Sequence, residues 1–528
     1  MILKIRGNSV FWAAEESAEK TKKIDHRLET NFVIVLVLPF FHREVLMSKA
    51  LIILEEWHML SGKEVHMGIP RRNFIKNVGL GLAGLGIGTK MTACSSASRT
   101  EGSETLLVKD PDHPKPAAYD RLPLSWHKNA VSRLREKMGE KGIDGILLQN
   151  RWNLVYFTGL FHSTTERPFY VFFPVKEDGI YWYHPGLDRD LVTSWWNTEN
   201  EYYFDYLHAE GGFPHEGRVV QGETVDLFEW ICEGLKKRGY DGKSIGVDSE
   251  FPASLHKKAQ KILPGARFVD ISADCLTMRM VKTPEEIALT QRAMDYFSKI
   301  HAFTRDYILE KGTDATDFEV GHAAVEYGTD LIMRDIVRDG KPHSAVGISV
   351  DISCRTGIGT SFPHPNQYFH KKIAKGDALQ VAGVVRIGGC GGELYRYYQI
   401  LPWNNHREKL WQVVTDCVRI QEEESKAGNS CSHVAYKVHQ HQVSNGVEKY
   451  IYHRPAHGEG MEGHQAPWLA LGDYTVLEEG MTFSVEPGLY DPENGFGYNP
   501  SDNLWVTPKK GVLMGSVPYS KEWMVLKL

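Results

Sequence analysis

From Leu122 to Ile271, short apolar runs alternate with amphipathic stretches, and this alternation restricts the chain to layered α/β architectures more tightly than any other feature. Ala130 to Lys141 sets Val131, Leu134 and Met138 at helical spacing, and Gly142-Ile-Asp-Gly-Ile-Leu-Leu-Gln149 reads as a turn entering a buried strand. Phe169 to Phe173 is a second strand, Trp230 to Lys237 and Ala253 to Ile262 are helices, and Phe268-Val-Asp-Ile271 closes the series. A long helix then starts after Lys282. Thr283 is its N-cap, Pro284 stands in the first turn, and Glu285 and Glu286 favour the positive helix end. This junction is the expected boundary between a domain over 122–283 and one over 284–528.

A chain of 528 residues has room for such a pair. The 42% hydrophobic content suits a substantial core, and the formal charge of −6 argues against a broad nucleic-acid-binding surface. The seven cysteines are scattered without a C-x-x-C pair, so they describe neither a disulfide framework nor a zinc knuckle.

Residues 67–94 carry a different signal. Arg71-Arg72-Asn-Phe-Ile-Lys76, a glycine-rich apolar run and Met91-Thr-Ala-Cys94 form the pattern of a bacterial twin-arginine export signal, which implies the periplasm or cell envelope. Met91 to Cys94 also resembles a lipoprotein cleavage site, with Cys94 as the anchor residue. Such signals stand near the initiator methionine, so residues 1–66 are either an over-extended gene start, with translation from Met67, or an extra segment without assigned structure. Residues 95–121 are polar and proline-rich and read as a linker.

The chemistry concentrates near the other end. His453-Arg-Pro-Ala-His457-Gly-Glu-Gly-Met-Glu-Gly-His464 places three histidines within twelve residues, and Phe483-Ser-Val-Glu486-Pro-Gly488 adds a carboxylate held by a turn. Glycines at 458, 460 and 463 suggest close backbone approach. His370, His406, His433, His439 and His441 fit no such pattern and read as surface residues.

These motifs, with Arg133-Leu-Arg-Glu-Lys-Met138, Asn153-Leu-Val-Tyr-Phe-Thr-Gly159 and the Met278-to-Ile287 junction, occur in one order. Together they resemble the creatinase, prolidase and aminopeptidase P superfamily over roughly residues 122–528. The resemblance implies an α/β creatinase-type N-terminal domain and an α+β pita-bread C-terminal catalytic domain. It also implies a homodimer.

Metal-dependent members hold two divalent ions with two aspartates, a histidine and two glutamates. Aligned on Arg396, the first aspartate position here is Ala382 and the second, eleven residues on, is Glu393; His457 and Glu486 match, and Ser501 stands where the last glutamate belongs. Two carboxylates and one imidazole under-compensate two dications, so the expectation is no metal, or one ion (Mn, Fe or Zn) on Glu393, His457 and Glu486. Creatinase supplies the metal-free precedent. By resemblance, His364, in Ser361-Phe-Pro-His364-Pro-Asn366, is the general acid/base, and Arg167, in Thr165-Glu-Arg167-Pro-Phe-Tyr170, clamps a substrate carboxylate across the dimer. One substrate-gripping glutamate of creatinase falls at Tyr395, with Glu393 on the same face two residues away if the segment is a strand. Glu393 could alternatively pair with Arg396.

The expected activity is hydrolysis of a C–N bond in a small amide, amidine or dipeptide-like metabolite without metal. His364, His457, His464, Glu393 and Glu486 are the catalytic candidates, and Arg167, Tyr395 and His453 the substrate-binding ones. A mononuclear Xaa-Pro aminopeptidase or dipeptidase, a non-catalytic periplasmic binding protein and a lyase on the same fold are the alternatives.

Overall fold

The computed structural model describes residues 2–6, 9–13, 102–162, 165–204, 226–336, 347–364 and 370–528. The export signal, Cys94 and most of the stretch before them lie outside these residues. The chain divides into two compact units, 1–97 and 98–528. In the first, an antiparallel hairpin of β1 (Ile2–Arg6) and β2 (Ser9–Ala13) is described.

In the second unit, α1 (Leu124–Glu140) buries Ala130, Val131, Leu134 and Met138 along one face. It leads into β3 (Gly145–Leu148), whose four residues are all buried. Then come α2 (Arg151–Thr158), β4 (Tyr170–Pro174), β5 (Tyr181–Pro185), β6 (Glu199–Tyr203), α3 (Leu227–Lys237), β7 (Ser244–Val247), α4 (Ala253–Ile262), β8 (Arg267–Asp270) and α5 (Ser272–Met280). The strands form one six-stranded mixed sheet in the order β6-β5-β4-β3-β7-β8. The alternation from Leu122 therefore yields the layered α/β domain it predicts, with α4 spanning the residues expected.

The junction follows its capping chemistry. Thr283 Oγ1 accepts from the Glu286 amide while the Glu286 carboxylate accepts from the Thr283 amide, a reciprocal box that starts α6 (Pro284–Lys311). Trp126 Nε1 donates to Thr283 Oγ1 at 3.0 Å, tying α1 to the cap.

α6 and α7 (Asp317–Asp335) cover a sheet in which β10 (Ala378–Ile387) pairs with β9 (Ser349–Thr356) along one edge and with β12 (Arg396–Ile400) and β11 (Cys390–Glu393) along the other. β20 (Val525–Leu526) lies parallel to β12. After α8 (Asn405–Glu424) and α9 (Cys431–Ser444), a second sheet runs β14 (Gln465–Leu469), β13 (Ala456–Gly458), β15 (Thr482–Val485), β18 (Asn503–Val506), β19 (Gly511–Leu513), with β16 (Leu489–Asp491) and β17 (Phe496–Tyr498) as a separate ribbon. Helices outside two sheets make the α+β pita-bread arrangement.

The sheets meet where β11 ends. The Tyr395 amide donates to Ser501 O at 2.9 Å and the Ser501 amide returns to Tyr395 O. Beside this bridge the fully buried Arg396 donates to Asp502 Oδ2 at 2.7 Å, to the carbonyls of Tyr395, Ser501 and Val517, and to Tyr519 OH. Arg396 is thus the partner of Asp502, and the alternative in which Glu393 pairs with it drops out.

The proline-rich segment also departs from a free linker. From residue 102 it lies along the C-terminal domain: Ser103 Oγ donates to Asp306, the Val108 amide to Ser516 O at 2.8 Å, and the Ala117 amide to Ala288 O, while His113 Nε2 bonds Leu513 O. Composition alone cannot show this, because the partners of these backbone groups lie far along the chain.

Candidate active site

His457, fully buried in β13, points between the two sheets. Its Nδ1 lies 3.1 Å from Gly458 O, an arrangement that places the ring proton on Nδ1 and leaves the Nε2 lone pair bare. Nε2 makes no hydrogen bond among the described residues. Its neighbours are Glu486 Oε1 at 3.3 Å and Glu393 Oε2 at 3.8 Å. Burial, and then the nearby His464, lower its pKa to about 3, so the ring is neutral.

Glu393 ends β11, and its carboxylate accepts from Ser484 Oγ at 2.8 Å. Ser484 Oγ lies 2.6 Å from Ser501 Oγ, so two hydroxyls occupy the place where a last glutamate ligand was sought. Ala382 is buried in β10 and offers no ligand. His464 Nε2 lies 3.9 Å from Glu393 Oε1, and its ring, 59% exposed at the side chain, stacks on His457 with centroids 3.8 Å apart.

Glu486 follows β15, with its amide bonded to Pro455 O at 2.7 Å. Burial pushes its carboxyl well above the usual range, with Glu393 adding to the rise and Arg454 opposing it. Tyr395 hydrogen-bonds Glu393, and burial holds its phenol protonated. His453 Nε2 bonds Tyr490 OH at 2.8 Å and Nδ1 bonds Arg454 O, and burial lowers its pKa.

His364 sits at the rim of this group. It is exposed and acts electrostatically on His453. Arg355 of β9 holds its approach by donating to Phe362 O and Pro363 O. Arg167 pairs with Glu166 at 2.9 Å and bonds Thr165. Of the histidines read as surface, His406, His433, His439 and His441 are partly buried, and His406 pairs with Asp491 at 2.7 Å and His433 with Glu424 at 2.9 Å.

Glu393, His457 and His464 each offer one ligand atom, all within 4.8 Å of one another. This set differs from the expected one by exchanging Glu486 for His464. It suits one cation: a bare imidazole lone pair facing carboxylate oxygens is repulsive unless a proton or a cation lies between them.

Glu459, Ser484, Tyr490 and Arg355 were missed by sequence reasoning. Glu459 follows the end of β13, so no strand periodicity marked it. Among the described residues no helix is long and apolar enough to cross a membrane.

Residues 131–281 match the Creatinase/Prolidase N-terminal domain and residues 288–508 match Metallopeptidase family M24. A creatinase of Bacillus sp. is 24% identical over 425 residues, covering 75% of this chain and 92% of its own. An Xaa-Pro dipeptidase of Pyrococcus horikoshii is 23% identical, covering 71% and 94%. The crystal structure of a recombinant prolidase from Thermococcus sibiricus superposes with a TM-score of 0.61 at 21% identity, covering 76% of this chain and 99% of that one. With both domains matched in order and relatives covered almost whole, the chain is a hydrolase of the creatinase/Xaa-Pro peptidase family.

Proposed function

We propose that this chain hydrolyses a C–N bond in a small dipeptide-like substrate at a centre where Glu393 and His457, with His464 and Glu486 beside them, hold one divalent cation (Mn, Fe or Zn). The observation that carries this reading is the unpartnered His457 Nε2 between two carboxyls. A cation bound there would supply Lewis-acid activation and acidify a water. Glu486, 3.3 Å from His457 Nε2, takes the proton of the attacking water and returns it to the leaving nitrogen. Tyr395 and Ser484 fix Glu393 by hydrogen bonds, and the exposed His464 passes protons to solvent. His453 and Tyr490 form a polar wall for the substrate. Relatives named creatinase and Xaa-Pro dipeptidase support the substrate class.

A metal-free reading is favoured by one observation, the Ser484–Ser501 hydroxyl pair, which satisfies Glu393 without an ion. There Glu393 and Glu486 grip a cationic nitrogen and His364 is the acid/base. Protein purified without added metal decides between them. About one equivalent of Mn, Fe or Zn per chain and chelator-sensitive cleavage of Xaa-Pro dipeptides support the first. Metal content near zero with undiminished turnover transfers the chemistry to the second, in which His364→Ala abolishes it.

Export by the twin-arginine route, lipid attachment at Cys94 and a homodimer in which Arg167 reaches the neighbouring site complete the proposal. The motif at 67–94 and the family resemblance support these. Mass spectrometry of the native N-terminus tests the first two, and sedimentation the third.

A further inference from the structure

Behind the centre lies a buried carboxylate that the chemistry above does not use. Glu459 has no solvent exposure, and both its oxygens are engaged. Oε2 accepts from the Glu393 amide at 3.2 Å and from Asn503 Nδ2 at 3.0 Å, and Oε1 accepts from Arg386 Nη2 at 3.2 Å. Two glycines make room for this arrangement. A Cβ at Gly392 would stand 2.5 Å from Glu459 Oε2 and 2.2 Å from Asn503 Nδ2, and one at Gly463 would stand 3.3 Å from Arg386 Nη2. Glu459 also faces the cluster electrostatically, for its charge acts on Tyr395 and Glu486.

Resting on the one-cation reading above, we infer that Glu459 is a positioning residue for that centre. Bonded to the Glu393 amide and anchored by Arg386, it fixes the end of β11 so that the Glu393 carboxylate faces His457, and once a cation is bound it ionises and adds a second negative charge behind Glu393. The chain lacks carboxylates at Ala382 and Ser501, and Glu459 supplies anionic field from outside the ligand set in their stead. Outer partners of this kind commonly change metal affinity by about 10–100-fold.

The test is calorimetric titration of Mn²⁺ into the full chain after chelation and dialysis, with melting temperatures of the metal-free proteins recorded alongside. Glu459→Gln, which keeps shape and removes charge, weakens Mn²⁺ binding tenfold or more. Glu459→Asp, which keeps charge and shortens reach, recovers part of the loss and carries the test if the Gln variant does not fold. Thr482→Val is the control, because Thr482 Oγ1 donates to the backbone carbonyl of Glu459 at 2.6 Å and leaves the carboxylate alone. Its Mn²⁺ affinity stays within twofold of the parent.

Parental affinity in both Glu459 variants overturns the proposal. So does a Thr482→Val loss as large as that of Glu459→Gln, since the role is then merely structural. If the unaltered chain takes up no Mn²⁺, the one-cation reading falls first and this inference with it, a result distinct from either of the others.

Discussion

Two buried charged groups stand side by side where the sheets of the C-terminal domain meet, and they are built on opposite terms. Around Arg396, charge is matched: one carboxylate, three carbonyls and a phenol accept from a single guanidinium, and Asp502 also accepts from the Gly515 amide. Around His457 the matching is incomplete: a neutral ring whose Nε2 makes no hydrogen bond among the described residues faces Glu393 and a Glu486 carboxyl that burial raises well above its usual range. The first arrangement holds two sheets in register. The second is short of positive charge, which is what a site kept for a cation or a cationic substrate requires.

The sharpest way to break this contrast is to remove one carboxylate from each. Asp502→Ala strands a buried guanidinium and should lower unfolding free energy by about 3–5 kcal/mol. Glu393→Gln relieves like-charge repulsion and keeps the Ser484 contact, so denaturant melts of the chelated protein should place it within about 1 kcal/mol of the parent. It should nevertheless abolish turnover. Equal destabilisation in the two variants would remove the distinction.

A smaller effect is expected from pH. Glu459, raised to about 8 by burial and by Glu393, binds its proton more tightly folded than unfolded, so its contribution is complete at low pH and is lost as pH rises toward that value. His457, lowered to about 3, has the opposite sign and contributes nothing further above its unfolded value near 6.5. Between pH 6.5 and 8 only the carboxyl effect remains. The metal-free chain should therefore lose melting temperature across that window, and Glu459→Gln should reduce the slope, with Glu486 and Glu286, also raised, keeping the remainder.

Smallest is the neutral reference outside both groups. Thr283→Ala removes the helix cap and the acceptor of Trp126 Nε1, for a loss of about 1–2 kcal/mol with turnover unchanged.

What could be read from sequence follows from the range of the forces involved. The Thr283 cap and the extent of α4 were legible because their determinants lie within a few residues. His457, His464, Glu393 and Glu486 were legible as members of ordered motifs, and the structure brings all four together. The partner of Arg396 was not, since Asp502 lies 106 residues away and any of several acids would have served. Glu459 was hidden by its chemistry, because an acid in a glycine-rich turn reads as solvated until Arg386 is found beside it. His364 was legible only through its place in a motif; the structure leaves it exposed, with His453 as an electrostatic neighbour.

The docked segment before α1 has a consequence for how the chain acquires its fold. His113 bonds Leu513, a separation of 400 residues, and Val108 bonds Ser516. Closure of that strap is a contact of very high order, and it cannot form until residue 516 has left the ribosome. The N-terminal α/β domain can assemble during synthesis, but the segment that precedes it waits for the opposite end of the chain. The last latch to close is the one made from some of the first folded residues to be synthesised.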